Sequence, residues 1–241
     1  MKILAIIPAR GGSKGLENKN ILPLLGHPLI SYSIKAALES KFINKIIVST
    51  DSKSIAQKAL EYGAEVPFIR PEKFAQDDSL DLDVFIHALN WLKDNQNYCP
   101  DYVIQLRPTS PVRKASIIDG AIKKFINSKS DSLRVVTQSP ISPFKMWKID
   151  PENNELIPLL KLEDIREPYN APRQSLPKTY WQIGTLDVIR PDVILKEKSM
   201  SGSKILPFMV SSDFAVDIDD LESFEIASKI ISSSNYIKFN E

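Results

Sequence analysis

The sequence has little glycine: only 8 of its 241 residues are glycine, about half of the usual share of roughly 7%. Three of the eight, Gly11, Gly12 and Gly15, nevertheless fall within five consecutive positions. The chain also has a single cysteine, Cys99, which excludes a disulfide within the chain and a zinc site built from cysteines. We expect this thiol to be buried or half-buried and structural, in a protein from a reducing compartment.

An excess of charge of either sign is absent as well. Lys and Arg together number 31 and Asp and Glu number 30, so the formal net charge is +1. Binding to nucleic acid or to an anionic membrane without sequence preference needs a basic excess, so neither is an expected partner. The first apolar run ends at Arg10, far short of the ~18 residues that a membrane span requires. We therefore expect a cytoplasmic globular protein.

What the chain does contain is an alternation of short apolar runs with segments of helical period. This pattern predicts an α/β fold with a mostly parallel, doubly wound sheet, in which ligands bind beyond the carboxyl ends of the strands. The predicted strands are Ile3–Pro8, Lys45–Thr50, Val66–Arg70, Tyr102–Arg107, Leu133–Thr137, Thr179–Arg190 and Ile205–Val210. The predicted helices are one that starts near Pro28 and those at Ser54–Tyr62, Ser79–Leu92, Ser116–Asn127 and Leu221–Ser232.

The alternation stops after Thr137. Residues 139–178 carry seven of the 17 prolines and have no clear period of either kind. Long segments of this type in compact domains are more often functional than idle. We therefore predict one domain over residues 1–241, with residues 139–180 as an excursion from it.

A short loop after the first predicted strand combines small residues with positive charge. It reads Pro8-Ala9-Arg10-Gly11-Gly12-Ser13-Lys14-Gly15 and is followed by Lys19 and Asn20. Small residues let the backbone approach an anion closely and point its N–H groups at it, and the basic side chains add charge that suits a polyphosphate. The spacing matches neither the dinucleotide-binding motif nor the P-loop. Its position after the first strand favours phosphate binding over a plain surface turn.

A second motif, Asp217-Ile218-Asp219-Asp220, precedes the last predicted helix. In extended backbone Asp217 and Asp219 share a face, where they could hold one hard cation. A nucleoside triphosphate at the basic loop would require Mg²⁺, so we predict that these two residues bind it. Asp220 is expected to cap the helix instead.

Further motifs follow in order along the chain: Val48-Ser49-Thr50-Asp51-Ser52, Arg70-Pro71, Arg107-Pro108-Thr109-Ser110-Pro111-Val112-Arg113 and Pro172-Arg173-Gln174-Ser175-Leu176-Pro177. Together with the basic loop and the paired aspartates, they resemble the acylneuraminate cytidylyltransferase family. Members of that family make CMP-activated nonulosonic acids such as CMP-sialic acid. The match runs over residues 3 to about 228.

The resemblance implies a Rossmann-like nucleotidyltransferase fold and a homodimer, with the excursion as the dimerisation and sugar-pocket element. It implies an Mg²⁺-dependent enzyme that transfers CMP from CTP to the anomeric hydroxyl of a 3-deoxy-2-ulosonic acid and releases pyrophosphate. The catalytic residues would then be Arg10, Lys14 and Asp219. The nucleotide-binding residues would be Ala9, Arg10, Gly11, Gly12, Ser13, Lys14, Lys19, Asn20 and Arg70.

By the same resemblance, the sugar acid is bound by Arg107, Arg173, Gln174 and Gln182. This pocket departs from the pattern of the sialic-acid enzymes, which have Gln where this chain has Arg107. They also tend to have Arg-Pro-Asn-Gly-Ala where this chain has Trp181-Gln182-Ile183-Gly184-Thr185. A guanidinium and an amide make different hydrogen bonds. We therefore expect an acceptor other than sialic acid itself.

Two alternatives stay open at this point. One is nucleotidyl transfer to another sugar or sugar phosphate, and the other is a nucleotide-binding protein without catalytic activity. The paired aspartates favour an enzyme, because a simple binder has little need of them. A separate group of acidic residues is interpreted as a solvated helix start: Asp77, Asp78, Asp81 and Asp83.

Overall fold

The protein is described by a computed structural model that covers residues 1–13, 15–233, 236, 237 and 239. The chain divides into two units. The main unit comprises Met1–Val135 and Ile183–Glu241, and the inserted unit is Val136–Gln182.

The strands of the described residues follow the predicted apolar runs closely. They are β1 (Ile3–Pro8), β2 (Pro23–Leu24), β3 (His27–Pro28), β4 (Lys45–Ser49), β5 (Tyr102–Gln105), β6 (Ser132–Gln138), β7 (Trp147–Ile149), β8 (Leu156–Pro158), β9 (Tyr180–Ile189) and β10 (Ile205–Met209). The helices are α1 (Leu29–Leu38), α2 (Lys53–Glu61), α3 (Asp81–Gln96), α4 (Ala115–Ile126), α5 (Pro191–Leu195) and α6 (Leu221–Ser233).

Six strands form the main sheet in the order β10-β6-β9-β5-β1-β4. β1 runs parallel to both of its neighbours, β4 and β5, whereas β9 runs antiparallel to β5. The carboxyl ends of β1, β4 and β5 therefore lie at one edge of the sheet. Because β9 runs the other way, its residues before Asp187 extend past that same edge, and Asp187 itself lies opposite Gln105.

Helices cover both faces of this sheet. Side chains of β1 alternate between the faces, with Ile3, Ala5 and Ile7 in one buried cluster and Leu4 and Ile6 in the other. The first cluster contains apolar residues of α1, α2, α4 and α6, and the second contains those of α3 and α5. Burial on both faces explains why these strands read as nearly continuous apolar runs.

Two expectations differ from the structure, and one helix was not expected. Val66–Arg70 is not a strand and makes only single parallel bridges on either side, between Ile47 and Glu65 and between Thr50 and Ile69. Pro67 interrupts this run and has no N–H to donate to a ladder. The short helix α5 was not predicted, because five residues are too few to show a period. Cys99 is exposed rather than buried.

The inserted unit contains the proline-rich excursion. Its β7 and β8 pair as an antiparallel hairpin, with Trp147 opposite Pro158 and Ile149 opposite Leu156. The rings of Trp147 and Tyr169 lie 4.4 Å apart. Across the described residues of both units, no helix is long and apolar enough to cross a membrane.

Candidate active site

A cleft of about 410 Å³ lies in the main unit, beyond the carboxyl ends of β1 and β5. This is the edge at which open α/β sheets bind their ligands. Its described lining includes four cationic side chains and three carboxylates: Arg10, Lys19, Arg70 and Arg107, and Asp77, Asp81 and Asp219. Pro8, Ser13, Gly15, Asn20, Phe74, Gln76, Ser79, Val84, Pro108 and Thr109 complete it.

The basic loop is held in place by side chains around it. The amide of Asn20 donates to the carbonyl oxygen of Arg10 at 2.9 Å, and Arg10 Nη1 lies 2.7 Å from Asp77 Oδ1. The N–H of Gly11 donates to Asp51 Oδ1 at 2.9 Å, so this amide already has a partner within the protein.

Other predicted residues of the loop take different positions. Ala9, Gly11 and Gly12 are not among the residues that line the cleft in the described part of the chain, whereas Ser13 and Gly15 are. Lys14, predicted to be catalytic and to bind the nucleotide, lies outside the described residues.

The paired aspartates flank a buried anchor. Ile218 is fully buried, and its N–H donates to the carbonyl oxygen of Thr109 at 2.8 Å. Its own carbonyl oxygen accepts from Lys19 Nζ at 2.8 Å, and the same ammonium lies 3.0 Å from Asp219 Oδ1. Lys19, which is predicted to bind the nucleotide, is therefore in contact with Asp219, which is predicted to bind the metal. Because Ile218 points inward, Asp217 and Asp219 both point outward, as their spacing predicted.

The two exposed carboxylates fit a magnesium ion. Mg²⁺ prefers oxygen ligands and is commonly held by one or two carboxylates together with phosphates and water. Among the described residues no group of three or more acidic, histidine or cysteine side chains forms a metal site. Any ion at Asp217 and Asp219 would therefore need further oxygens from a phosphate or from solvent. Asp220 lies outside this pair, since its carboxylate accepts from the N–H of Ser223 at 2.8 Å and so caps α6, as predicted.

Arg70 forms part of the cleft wall, and its guanidinium is engaged by hydrogen bonds within the protein. Its guanidinium is buried and donates from Nε to Ser49 Oγ at 3.0 Å, from Nη2 to the carbonyl oxygen of Ser49, and from Nη1 to that of Phe74 at 3.3 Å. Burial lowers the pKa of Arg70 to about 10, while Asp51 and Asp81 oppose the shift. Arg70 stays charged at neutral pH and joins the end of β4 to the loop that carries Phe74.

Arg113 is a residue whose importance the sequence did not reveal. It is the largest fully buried side chain of the described residues, and it donates from Nε to the carbonyl oxygen of Thr185 at 2.8 Å. It also donates to Ser33 Oγ and, at 2.5 Å, to the carbonyl oxygen of Arg107. Burial lowers the pKa of Arg113 to about 9, so it remains protonated at neutral pH. Arg113 thereby connects β9 with the loop that comes after β5.

Arg107 reaches the cleft with two carboxylates beside it. Its Nη2 lies 3.2 Å from Asp81 Oδ2, and its Nη1 lies 2.9 Å from Asp187 Oδ2. Burial lowers the pKa of Arg107, but the charges of Asp187 and Asp81 outweigh this and raise it above its ordinary value. The interpretation of the acidic group as a solvated helix start therefore does not describe Asp81 or Asp77, both of which line the cleft.

The remaining residues predicted to bind the sugar belong to the inserted unit. Arg173 and Gln174 line a pocket of about 230 Å³ within it, together with Gln138, Ser139, Ser142, Leu176, Pro177, Lys178 and Thr179. Arg173 Nη2 donates to the carbonyl oxygen of Ser139 at 2.9 Å. Gln182 is an exposed residue of β9.

Comparison with known proteins gives consistent similarities along the whole chain. A sequence model of a family described as "Cytidylyltransferase" matches residues 4–149. Pseudaminic acid cytidylyltransferase of Campylobacter jejuni is 33% identical over 236 residues, which cover 98% of both proteins. CMP-N,N'-diacetyllegionaminic acid synthase of Legionella pneumophila is 36% identical over 235 residues, which cover 96% of this chain and 97% of that protein.

A solved structure has the same fold. CMP:2-keto-3-deoxy-manno-octonic acid synthetase complexed with CTP superposes with a TM-score of 0.70, covering 96% of this chain and 99% of its own. Its sequence is only 16% identical, so the likeness concerns the fold alone. The predicted fold, a Rossmann-like nucleotidyltransferase fold with a mostly parallel sheet, is confirmed.

Gly15 offers a test of how closely the basic loop packs against the aspartate pair. A Cβ at Gly15 would clash with the backbone oxygen of Asp219, whereas a Cβ at Gly12 would meet no atom within 4 Å. Relief of this clash must move the basic loop away from Asp219, so we expect Gly15→Ala to weaken CTP binding by about tenfold, or about 1.4 kcal/mol, which lies within the roughly 1–3 kcal/mol that overpacking costs. Isothermal titration calorimetry with CTP and Mg²⁺ measures this, with Gly12→Ala as the matched control. Equal affinities for both variants would contradict the close packing.

Proposed function

This chain belongs to the cytidylyltransferase family, and on that basis we propose that its cleft is where CTP and a sugar acid react. The protein is a CTP:sugar-acid cytidylyltransferase, a nucleotidyltransferase that makes a CMP-activated sugar. The observation that supports the cleft as the reaction site is the contact between Lys19 and Asp219, which joins the segment that follows the basic loop to the aspartate pair. A cleft of about 410 Å³ falls within the range of small-molecule sites.

The acceptor that we propose is a nonulosonic acid. The full-length relatives that support this act, by their names, on pseudaminic acid and on N,N'-diacetyllegionaminic acid. An acceptor of this kind also agrees with Arg107, which replaces the Gln expected in the sialic-acid enzymes. Since CTP is a nucleotide of the cytoplasm, we propose that the reaction takes place there.

The reaction that follows needs little covalent chemistry from the protein. The anomeric hydroxyl of the sugar acid attacks the α-phosphorus of CTP and releases its proton to solvent, the bond from that phosphorus to the oxygen that bridges it to the β-phosphorus breaks, and pyrophosphate leaves. Catalysis of such transfers is mostly positioning and charge stabilisation. We assign stabilisation of the phosphate charge to Arg10, Lys14 and Lys19. Asn20 holds the basic loop through the carbonyl oxygen of Arg10, and Arg70 holds the cleft wall between the end of β4 and Phe74.

We further propose that Mg²⁺ binds to Asp217 and Asp219. When bound, the ion would neutralise charge that develops on the phosphates. Lys19 is suited to assist here, because its ammonium already compensates one oxygen of Asp219. The buried Ile218 fixes the backbone between the two carboxylates, so both are oriented before a ligand arrives.

Homodimer formation through the inserted unit is the remaining part of the proposal. Its β7–β8 hairpin presents an apolar surface to solvent, with Ile149 66% and Leu156 61% exposed. Ile141, Met146, Trp147, Ile157 and Leu160 are also exposed. An apolar surface of this kind is typical of a protein interface. A partner that covers it would bring a second inserted unit, with its own Arg173 and Gln174, into the assembly.

The function is tested by offering the protein a panel of acceptors. We expect pyrophosphate release with CTP, Mg²⁺ and pseudaminic or legionaminic acid, and slower release with sialic and octulosonic acids. We expect ATP, GTP and UTP to replace CTP poorly. Release with a sugar phosphate but with no sugar acid would favour the alternative acceptor. Binding of CTP without turnover on any acceptor would leave a nucleotide-binding protein.

The metal role is tested at neighbouring aspartates. We expect Asp219→Ala to lower kcat by about 10³-fold or more, since it removes a ligand that stabilises the transferred phosphate. Asp220→Ala is the matched control, because it removes the cap of α6 but no predicted metal ligand. Steady-state kinetics and thermal unfolding of both variants separate the two effects. Near-normal turnover in folded Asp219→Ala would refute the metal role.

The dimer is tested by sedimentation velocity. The wild-type chain of 27.2 kDa is expected to sediment as a dimer, and Ile149→Lys as a monomer. A charge placed in an apolar interface stays unpaired and opposes association. Leu60→Lys is the matched control, since Leu60 is also exposed but lies on α2 of the main unit. A monomeric wild type, or a dimeric Ile149→Lys, would contradict the proposed interface.

A further inference from the structure

A chain of four charged side chains runs from the cleft into the interior of the main unit. At the cleft, Asp81 accepts from Gln105 Nε2 at 2.6 Å and pairs with Arg107 Nη2 at 3.2 Å. On its other side, Arg107 pairs through Nη1 with Asp187 at 2.9 Å. The guanidinium is therefore held between two carboxylates, and it cannot turn without losing one of them.

Behind Arg107, the series of charged side chains continues through buried groups. The side chain of Asp187 is 0% exposed, and the same Oδ2 that meets Arg107 lies 2.8 Å from Arg134 Nη1. Arg134 is fixed in turn, because its Nη2 donates to the carbonyl oxygen of Met200 and, at 2.9 Å, to Ser201 Oγ. Asp187 also stands opposite Gln105 in the β5–β9 register, so the sheet itself sets its position.

Stability alone does not explain this arrangement. Buried ion pairs contribute little on balance, and apolar residues of similar volume often replace them without loss. Three of the four groups serve to orient the fourth, Arg107, whose guanidinium is the cationic end that reaches the cleft. The loop after β5 packs closely against Gly184, since a Cβ there would clash with Ser110 Oγ, while Arg107 Cδ and Asp217 Oδ2 would lie at ordinary contact distances of 3.5 and 3.6 Å.

The balance of charge limits what Arg107 can recognise. Two guanidinium groups face two carboxylates in the chain, and Asp217 lies close to the same glycine. A guanidinium has five N–H donors, of which the two carboxylates engage only part. Arg107 therefore offers directed hydrogen bonds to the cleft rather than an uncompensated positive charge.

We propose that Asp187, supported by Arg134, is a positioning residue that orients Arg107 toward a neutral oxygen of the sugar acid, a hydroxyl or an acyl carbonyl. This inference rests on the proposed function, because it concerns the acceptor of that reaction. The carboxylate of the sugar acid is then recognised elsewhere, and Arg107 determines which ring substituents are accepted.

The test is steady-state kinetics with CTP and the best acceptor of the panel varied separately. Asp187→Asn is expected to raise KM for the sugar acid about tenfold and to leave KM for CTP within about twofold. Arg107→Gln is expected to do the same. The double variant, Asp187→Asn with Arg107→Gln, is expected to show no further rise in KM, because both changes remove the same interaction with the sugar acid. Asp119→Asn is the matched control. This carboxylate accepts hydrogen bonds from Ser40 Oγ and the N–H of Lys41, and it contacts none of the four charged side chains.

Arg134→Gln keeps the test valid if Asp187→Asn fails to fold, because the side chain of Arg134 acts on Arg107 only through Asp187. It is expected to raise KM for the sugar acid by a smaller factor, with folding checked by thermal unfolding. An unchanged KM for the sugar acid in the folded variants, or an equal rise in both KM values, overturns the positioning role. The dependence on ionic strength distinguishes recognition of a neutral oxygen of the sugar acid from recognition of its carboxylate. Arg107→Gln should leave the salt dependence of KM for the sugar acid unchanged, and a flattened dependence would instead identify Arg107 as the partner of its carboxylate.

These outcomes are distinct from a failure of the proposed function. A wild-type protein that releases no pyrophosphate with any sugar acid overturns the function and this inference together. An active wild type with unaltered variants overturns the inference alone.

Discussion

The active site depends on the two hydrogen bonds that hold Ile218. Its N–H donates to Thr109 in the loop after β5, and its carbonyl oxygen accepts from Lys19 near the basic loop. With its side chain in the core, this residue joins three distant parts of the chain and turns the carboxylates on either side of it outward. The close approach of Gly15 to the backbone of Asp219 follows from the same anchor. Without this anchor, groups of opposite charge would have no fixed separation at which to hold a triphosphate.

Three of the four cations that line the cleft in the described residues have an acidic partner: Arg10 with Asp77, Lys19 with Asp219, and Arg107 with Asp81. Asp77 and Asp219 are well exposed, and pairs of that kind contribute little to stability. An arriving phosphate can therefore replace either carboxylate at small cost, so Arg10 and Lys19 stay available, whereas Arg107 is also held by the buried Asp187. Arg70 and Arg113 differ, because they are buried and spend their donors on neutral oxygens. Arg113 fixes the loop that carries Arg107, and Arg70 joins the end of β4 to the loop that carries Phe74.

Much of the fold could be predicted from the sequence, because burial on both faces leaves a pattern of apolar runs that short windows reveal. The strands β1, β4, β5, β6, β9 and β10 all lie within a residue or two of their predicted bounds. The failure at Val66–Arg70 has a local cause in Pro67, which lacks a ladder donor, and a tertiary one, since only isolated bridges form there. The division into a main and an inserted unit coincides with the stretch in which the pattern stops.

For the site, the sequence by itself determined the basic loop, the spacing of Asp217 and Asp219, and the resemblance that the full-length relatives bear out. Those features are local, and short motifs express them directly. Only the tertiary structure decided the partners: Lys19 meets Asp219 across 200 positions, and Arg107 meets Asp81 and Asp187 across 26 and 80. Such contacts arise from strand order and register in the sheet, notably the antiparallel β9, and no local propensity encodes them. The same reason explains why Asp81 could be taken for a solvated helix residue and why Arg113 gave no signal of its burial.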